Sequence, residues 1–187
     1  MEKDLNLQTE RLLLRRWKES DLVPFSVMNA DPEVMRHFPK LLTTDETKAL
    51  IEKIESRFEQ DSLGLWAVEL LSSHEFIGFI GLWKPTFDAH FTPCVEIGWR
   101  IAREHWGHGY APEGAQVVLK DAFERIGLDE IVSMTSMPNK NSMRVMEKIG
   151  MTYDPLDNFQ HPLVEEGHRL KEHVLYRIKK SDWIRGR

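Results

Sequence analysis

Two glycines lie where the chain passes from an apolar stretch into an amphipathic one. Gly107 and Gly109 belong to the segment EHWGHGYAPEGA, which follows VEIGWRI. The start of a helix presents free backbone amides and about half a unit of positive charge, and glycines let a loop curl until those amides face one anion. This placement indicates a loop that binds a diphosphate through its backbone. A tight turn without a ligand is the alternative interpretation.

The same segment argues against two common nucleotide sites. No GxxxxGK[ST] string is present, which disfavours phosphate transfer of the ATP type. A dinucleotide-binding oxidoreductase would carry GxGxxG after its first strand and an acidic residue about 20 positions later. This chain has GHGYAPEG in mid-chain instead.

Metal and thiol chemistry have little support in the sequence. His105 and His108 are three residues apart in the loop, and no HExxH or paired Cys/His pattern accompanies the eight histidines. We therefore expect no metal. Cys94 is the single cysteine, so an internal disulfide is excluded, and nothing near it favours a thiolate. An apolar packing role is expected for it.

Composition predicts a globular protein with one domain over residues 1–187. The chain is 41% hydrophobic and 29% charged, and its formal net charge is -5. That charge argues against a nucleic-acid partner, and no apolar run approaches the roughly 20 residues needed to cross a membrane. The N-terminal segment lacks the apolar core and cleavage site of a secretory signal, so a cytoplasmic location is expected.

Periodicity and turn residues predict a mixed α/β (α+β) chain. The expected strands are residues 11–17, 65–71, 76–83, 95–101, 130–135, 151–156 and 168–178. The expected helices are residues 20–30, 32–38, 44–60 and 142–149, together with an amphipathic helix directly after the glycine loop. The three strands between residues 65 and 101 favour an antiparallel meander.

Two helices carry their own boundary signals. Thr43 and Glu46 have the spacing of a capping box, in which a hydroxyl and a carboxylate satisfy free amides at a helix start. The amphipathic helix has Pro112 for its first turn and Gly127 for its C-terminal cap. Its apolar stripe consists of Ala115, Val118, Leu119, Ala122, Phe123 and Ile126.

Four motifs in these elements resemble those of a known family. The segments VEIGWRI, EHWGHGYAPEGA, EIVSMTS and MPNKNSMRVMEKIGM are together similar to the GNAT superfamily of N-acetyltransferases, within it to the branch of ribosomal-protein N-terminal acetyltransferases. The resemblance covers nearly the whole chain. It departs from the superfamily at Glu104, where Gln or Arg is usual. It departs again at Met146, where many members carry a tyrosine that protonates the leaving thiolate.

The resemblance implies a GNAT-like fold that binds acetyl-coenzyme A. Its mixed, mostly antiparallel sheet is flanked by helices, and residues 95–101 splay from residues 131–137 to admit pantetheine. Backbone groups of the splayed strand would face the thioester, loop amides the pyrophosphate, and Asn139 the pantetheine arm, unless Asn139 is only a turn residue. The residues assigned to acetyl-coenzyme A are Trp99, Arg100, Ile101, Trp106, Gly107, His108, Gly109, Tyr110, Ala111, Asn139 and Ser142.

Acetyl transfer to an amine also implies proton transfer. An amine is mostly protonated at pH 7 and must lose a proton before it attacks. Glu96 is the predicted base because it interrupts an apolar strand beside the acetyl site, although a solvated or ion-paired strand residue is the alternative. Glu69 and His168 are weaker candidates.

Ser142 is the predicted acid for the leaving thiolate, since the usual tyrosine is absent. As the residue that opens the short helix, it has an N-cap role as its alternative. Tyr153 is the reserve candidate.

The acceptor is predicted to be an amine, and the sequence does not identify it. A protein or peptide N-terminus leads, with a small-molecule amine and a catalytically silent acyl-coenzyme A module as alternatives; a homodimer is common in similar proteins. The groove is expected from residues 20–60 and 157–167. Acidic residues near the second segment either attract a cationic amine or form a solvated loop. They are Asp154, Asp157, Glu165 and Glu166.

Overall fold

A single sheet organises the molecule, which a computed structural model describes over residues 6–186. Its strands are β1 (Leu7–Gln8), β2 (Leu12–Arg15), β3 (Leu65–Leu70), β4 (Phe76–Trp83), β5 (Glu96–Ile101), β6 (Glu130–Ser136), β7 (Thr152–Tyr153), β8 (Phe159–Gln160) and β9 (Glu172–Lys179). Its α-helices are α1 (Leu22–Ala30), α2 (Thr44–Asp61), α3 (Tyr110–Asp121), α4 (Lys140–Lys148) and α5 (Lys180–Arg185).

The sheet is antiparallel except at one pair of neighbours. The strands follow the order β1-β2-β3-β4-β5-β6-β9-β7, and β8 pairs with β9. β5 and β6 are parallel, and α3 forms the crossover between them. The predicted meander of β3, β4 and β5 is confirmed, as is the mixed, mostly antiparallel fold flanked by helices.

Local sequence signals set the ends of the two longest helices. Thr43 caps α2 and accepts a hydrogen bond from the Glu46 amide, while the Glu46 carboxylate accepts from the Thr43 amide, so the predicted capping box is present. α3 continues as a π-helix over Ala122–Ile126 and ends at Gly127, whose φ is +83°. Its predicted stripe is buried except for Ile126, which is half-buried.

Different helices cover the two faces of the sheet near β4 and β5. Ile80 of β4 points toward α3, since a Cβ on Gly114 would lie 2.4 Å from its Cδ1. The neighbouring Phe79 points the other way and meets Phe25 of α1, with ring centroids 6.0 Å apart. Residues opposite each other in a ladder share a face, so Arg100, which pairs with Phe79, lies on the α1 face.

Three local predictions are wrong. Residues 32–38 form turns and bends and not a helix. α4 begins at Lys140 with Asn139 as its N-cap, two residues before the predicted start. The last predicted strand begins at Glu172, and the sequence interpretation missed β8 and α5.

No helix within residues 6–186 combines the length and the apolar character that a bilayer crossing needs.

Candidate active site

A cavity of about 1090 Å³ opens where β5 and β6 diverge. Every residue that the sequence assigned to acetyl-coenzyme A lines it, and so do the leading base and acid candidates, Glu96 on β5 and Ser142 on α4. The same cavity extends over the α1 face, where Phe38, Phe79 and His173 line it. One cavity therefore contains both the glycine loop and the space over the α1 face.

The divergence of β5 and β6 begins beside Glu96. Within the described residues the two strands pair at Glu96 and Val132, where the Val132 amide donates to the Val95 carbonyl at 3.0 Å. The next ladder acceptor is the Ile97 carbonyl, which receives the Ser133 hydroxyl at 2.9 Å. The Ser133 side chain therefore donates to the Ile97 carbonyl, which would accept from a β6 backbone amide if the ladder continued. Sequence reasoning missed Ser133, which has no local signal.

The alternation of β5 decides which backbone groups face the gap. The carbonyls of Val95 and Ile97 face β6, so those of Trp99 and Ile101 point the same way. The Ile101 carbonyl accepts the Trp106 indole N–H at 2.7 Å, which leaves its amide for a ligand. The Arg100 carbonyl instead faces β4, 2.1 Å from where a Cβ on Gly78 would lie. The expectation for the Arg100 backbone is therefore corrected, since its side chain is the part that can reach the cavity.

The glycine loop leads into α3 in a conformation that suits glycine. Gly107 and Gly109 both have φ of +80°, and Gly109 is the N-cap of α3. The first intrahelical bond runs from the Glu113 amide to the Gly109 carbonyl, so the amides of Tyr110 and Ala111 have no helical acceptor. The Trp106 amide, predicted to bind pyrophosphate, donates to Arg103 at 3.1 Å and is not free.

Arg11 fastens this loop to the start of the sheet. Its Nη1 donates to the His108 carbonyl at 3.0 Å, its Nε donates to Glu113 Oε2 at 2.7 Å, and its guanidinium lies 4.6 Å from the Tyr110 ring centroid. Thr9 adds a hydroxyl bond to Glu113. Sequence reasoning missed this clamp because 102 residues separate Arg11 from Glu113.

Asn139 and Ser142 meet at the start of α4. Asn139 Oδ1 accepts from the Ser142 amide at 3.3 Å, and its Nδ2 donates to Ser142 Oγ at 3.0 Å and to Thr135 Oγ1 at 2.8 Å. Asn139 is therefore the cap that the sequence interpretation assigned to Ser142. Because Ser142 Oγ accepts this bond, its hydroxyl proton stays available to a group in the cavity.

Glu96 lies at the splay point with an altered acidity. It opens partly to the cavity, but protein encloses its carboxylate, and this burial raises its pKa to about 8. A backbone hydrogen bond from Met134 on β6 acts in the opposite direction. The carboxyl group therefore exchanges its proton near neutral pH, as a general base must.

The alternative bases lie elsewhere. Glu69 is buried against Arg15, Lys18 and His74, and these hydrogen bonds outweigh desolvation and hold its pKa at about 2. The His168 ring accepts from the Leu170 amide in a surface turn. Neither residue lines the cavity.

Three further residues named from the sequence also lie outside the cavity. Tyr153, the reserve acid, stacks on Tyr176 and donates its hydroxyl to Asn158. Asp157 pairs with Arg177 at 2.7 Å. Burial raises the Cys94 pKa to about 11, so its thiol stays protonated and packs beside an apolar cluster.

The acidic residues of the predicted groove do not reach the acceptor space. Asp154 accepts from the Leu156 amide, and Glu166 is 3.5 Å from Lys171. Neither these residues nor Asp157 and Glu165 line the cavity. They form a solvated or ion-paired surface in the structure.

The loop fits an extended diphosphate-bearing thioester. A Cβ on Gly107 or on Gly98 would meet no atom within 4 Å, so packing does not require either glycine. Both positions open onto the cavity instead. The helix-start amides suit a diphosphate, and the free groups of Trp99 and Ile101 suit an amide-containing arm.

Comparisons with known proteins point the same way. A family model described as an acetyltransferase (GNAT) domain matches residues 11–152. The chain is 30% identical over 171 residues to an FsC-acetyl coenzyme A-N(2)-transacetylase from Aspergillus fumigatus, covering 84% of this chain and 69% of that protein.

Solved structures share the fold. An acetyltransferase of the GNAT family from Bacillus anthracis aligns with a TM-score of 0.79 and 28% identity over 95% of this chain and 99% of that one. Spermidine N-acetyltransferase from Vibrio cholerae, in complex with CoA and spermine, aligns with a TM-score of 0.73. The alignment covers 94% of this chain and 99% of that one. Its 19% identity supports the fold alone.

The matched residues include the splayed strand, the glycine loop, α3 and α4, which are the elements that build the cavity. The catalytically silent alternative is not retained. The chain belongs to the GNAT acetyltransferases and is an acetyl-CoA-dependent acyltransferase.

Proposed function

We propose that the protein, as one domain, transfers the acetyl group of acetyl-CoA directly to a primary amine while both substrates occupy the cavity. The observation that carries this proposal is the position of Glu96, whose ionisable carboxyl group shares one cavity with the glycine loop. In the transfer the amine nitrogen bonds to the thioester carbonyl carbon, the carbon–sulfur bond breaks and the amine loses a proton.

Glu96 receives the amine proton. With its pKa near 8, a useful fraction is deprotonated at neutral pH, and the conjugate acid still releases its proton afterwards. The carboxylate lies beside the free backbone of β5, where the thioester is expected. Direct reach to the amine or one bridging water both fit this role.

Ser142 assists the leaving group. Its oxygen already accepts a bond from Asn139, so its hydroxyl donates a hydrogen bond or proton to the departing thiolate. Met146, at the usual tyrosine position, is buried and carries no acidic proton. The backbone amide of Trp99 or Ile101 polarises the thioester carbonyl.

The acceptor is either the α-amine of a protein or peptide or a small-molecule amine. The resemblance to the ribosomal-protein branch supports the first. The similarity to a spermidine N-acetyltransferase bound to spermine keeps the second as a candidate.

A substitution in the loop tests donor binding. Gly109→Val places a branched side chain where φ is +80° and where the pyrophosphate is expected, so acetyl-CoA affinity should fall roughly tenfold or more. Isothermal titration measures it. Gly127→Val is the matched control, because Gly127 has φ of +83° and open space around its Cβ, but lies outside the cavity. Equal affinities in the two folded variants would remove the loop assignment.

A further inference from the structure

Arg100 is a buried cation without a carboxylate partner. The residue is 9% exposed, its Nη1 donates to Asn29 Oδ1 at 2.6 Å, and its Nε has no hydrogen-bond partner within the described part of the chain. No carboxylate among the described residues lies within ion-pair distance of it, and burial alone shifts its pKa. Arg15, 6% exposed, instead pairs with Asp21 at 2.7 Å and with Glu69 at 2.6 Å. The two buried arginines therefore differ in that carboxylates neutralise Arg15 but not Arg100.

The Arg100 guanidinium keeps its charge in this position. Burial lowers its pKa to about 10, which leaves it protonated at neutral pH. The rings of Phe38 and Phe79 lie 4.1 and 5.3 Å from it and offset part of the desolvation by cation–π attraction. A planar guanidinium with unused N–H donors is suited to bind a carboxylate in a bidentate manner.

Arg100 faces the same space as the predicted base. Glu96, Gly98 and Arg100 alternate along β5 on one face, and four residues of strand separate the outer two by roughly 13 Å. Gly98, between them, would place a Cβ in open space, so nothing of the protein fills the gap from that position. A ligand lying along β5 can meet both side chains.

The cavity next to this space is also lined by cations. An adjoining cavity of about 390 Å³ is lined by Arg36, Lys140 and Arg169 among others, and it shares Arg36 with the main cavity. His37 also lines both cavities but adds no charge at neutral pH, because burial lowers its pKa. The main cavity has two lining carboxylates among the described residues, Glu33 and Glu96, and Glu33 lies 3.5 Å from Arg36. Among the described residues, arginines and lysines therefore outnumber carboxylates in the lining of the two cavities, and their charge would attract an anion.

We propose that the acceptor is an amine that carries a carboxylate, and that Arg100 binds this carboxylate while Glu96 takes the proton from the amine. This inference rests on the proposed function. The spacing along β5 suits a ligand between an amino acid and a short peptide in length. The same chemistry is offered by a free amino acid and by a peptide with a nearby carboxylate.

Binding of matched ligand pairs tests the carboxylate site separately from turnover. With CoA present, N-acetylated amino acids and N-acetylated dipeptides are titrated, as are the same compounds with an amidated carboxyl group. Binding is followed by intrinsic tryptophan fluorescence, to which Trp83, Trp99 and Trp106 at the cavity contribute. These products have no titrating amine. The wild-type protein should bind the acids roughly tenfold more tightly or better. Equal binding of acid and amide in both series would overturn the proposal without any variant.

Arg100→Gln should reduce the preference for acids over amides to less than about twofold. The affinity for the amides should stay as in the wild-type protein. Arg185→Gln, an exposed cation outside the cavity, is the charge-matched control and should keep the preference. Arg100→Lys serves where the glutamine variant does not fold, and it should lose most of the preference with the bidentate geometry. A preference retained in a folded Arg100 variant refutes the assignment.

Turnover of the free amines, read as thiol release, separates this inference from the proposed function. If amides and polyamines are acetylated as fast as the acids, the proposed transferase function holds and the carboxylate site is refuted. Selective, Arg100-dependent binding of acids without thiol release from any amine keeps the site and removes the proposed function. The series that shows the larger preference for the acid identifies the acceptor as a free amino acid or as a peptide.

Discussion

The pKa of the Glu96 carboxyl group is set by its surroundings in the fold. Its strand neighbours are apolar, the protein encloses its oxygens and its pKa rises to about 8, whereas Glu69, also buried, has a pKa of about 2 because cations contact it. At Glu96 only a backbone hydrogen bond from Met134 opposes desolvation, whereas at Glu69 hydrogen bonds from Arg15, Lys18 and His74 outweigh it. A base for amine chemistry needs the first environment.

Glu96→Gln should lower kcat by roughly two orders of magnitude at pH 8 and spare acetyl-CoA affinity, because the amide cannot accept the proton. The raised pKa fixes the sign of the pH dependence, since the base acts when deprotonated. The wild-type rate should rise as pH increases through about 8 and then level, and the variant should lose this rise. Thiol release measured between pH 6 and 10 gives both profiles. The titration of the amine is common to both, so their difference isolates Glu96.

Glu33→Gln is the matched control, because Glu33 is the other carboxylate that lines the described cavity. Its kcat should stay within a few-fold of wild type. A Glu96→Gln rate that is equally close to wild type would exclude Glu96 as the base.

Single residues were predictable where their signal was local. Glu96 interrupts an apolar strand and the loop glycines precede a helix, and the family resemblance implied that both lie beside the bound thioester. In the structure both line one cavity. The cap of α4 was misassigned because Asn139 and Ser142 both favour caps, and the backbone chose the earlier one. The Arg100 side chain has no local signal at all, since Asn29, Phe38 and Phe79 come from three different segments.

At the scale of elements, Arg11 just before β2 and Glu113 in the first turn of α3 together hold the glycine loop. Arg11→Ala should raise KM for acetyl-CoA roughly tenfold with little change in kcat, because it frees the His108 carbonyl and Glu113 while leaving the β5 residues in place. Steady-state kinetics with acetyl-CoA varied measure this split.

Arg103→Ala removes an equal charge from the exposed 3-10 helix before the loop, outside the cavity, and should leave KM near the wild-type value. A similar rise in both variants would mean that net charge, and not the clamp, governs acetyl-CoA binding.

The elements with internal signals were predicted well, and those defined by partners were not. α2 has its capping box and α3 its apolar stripe, so both were found with accurate ends. β8 is two residues long and exists through its pairing with β9. The turns at residues 32–38 place Phe38 against Arg100, a tertiary contact that local periodicity does not encode.

For the whole molecule, the β5–β6 seam is where the sheet is least continuous, and acetyl-CoA is expected to bridge it. At 100 times its Kd a ligand of the native state adds about 2.7 kcal/mol to the free energy of unfolding. For a chain of this size that raises Tm by roughly 5–10 °C. Differential scanning calorimetry with and without acetyl-CoA measures the shift.

Gly127→Val should keep the full ligand-induced shift even where its own Tm is lower, and Gly109→Val should show a smaller one at the same acetyl-CoA concentration. No shift in the wild-type protein at saturating acetyl-CoA would contradict binding across the seam.

The contact between Arg11 and Glu113 has a consequence for how the protein is made. During synthesis Arg11 leaves the ribosome about a hundred residues before Glu113, so the loop can be fixed only after β2, β3, β4 and β5 have associated. Such distant contacts form slowly and late. A nascent chain that already contains every loop glycine would still hold acetyl-CoA poorly, and binding competence would mark the end of folding.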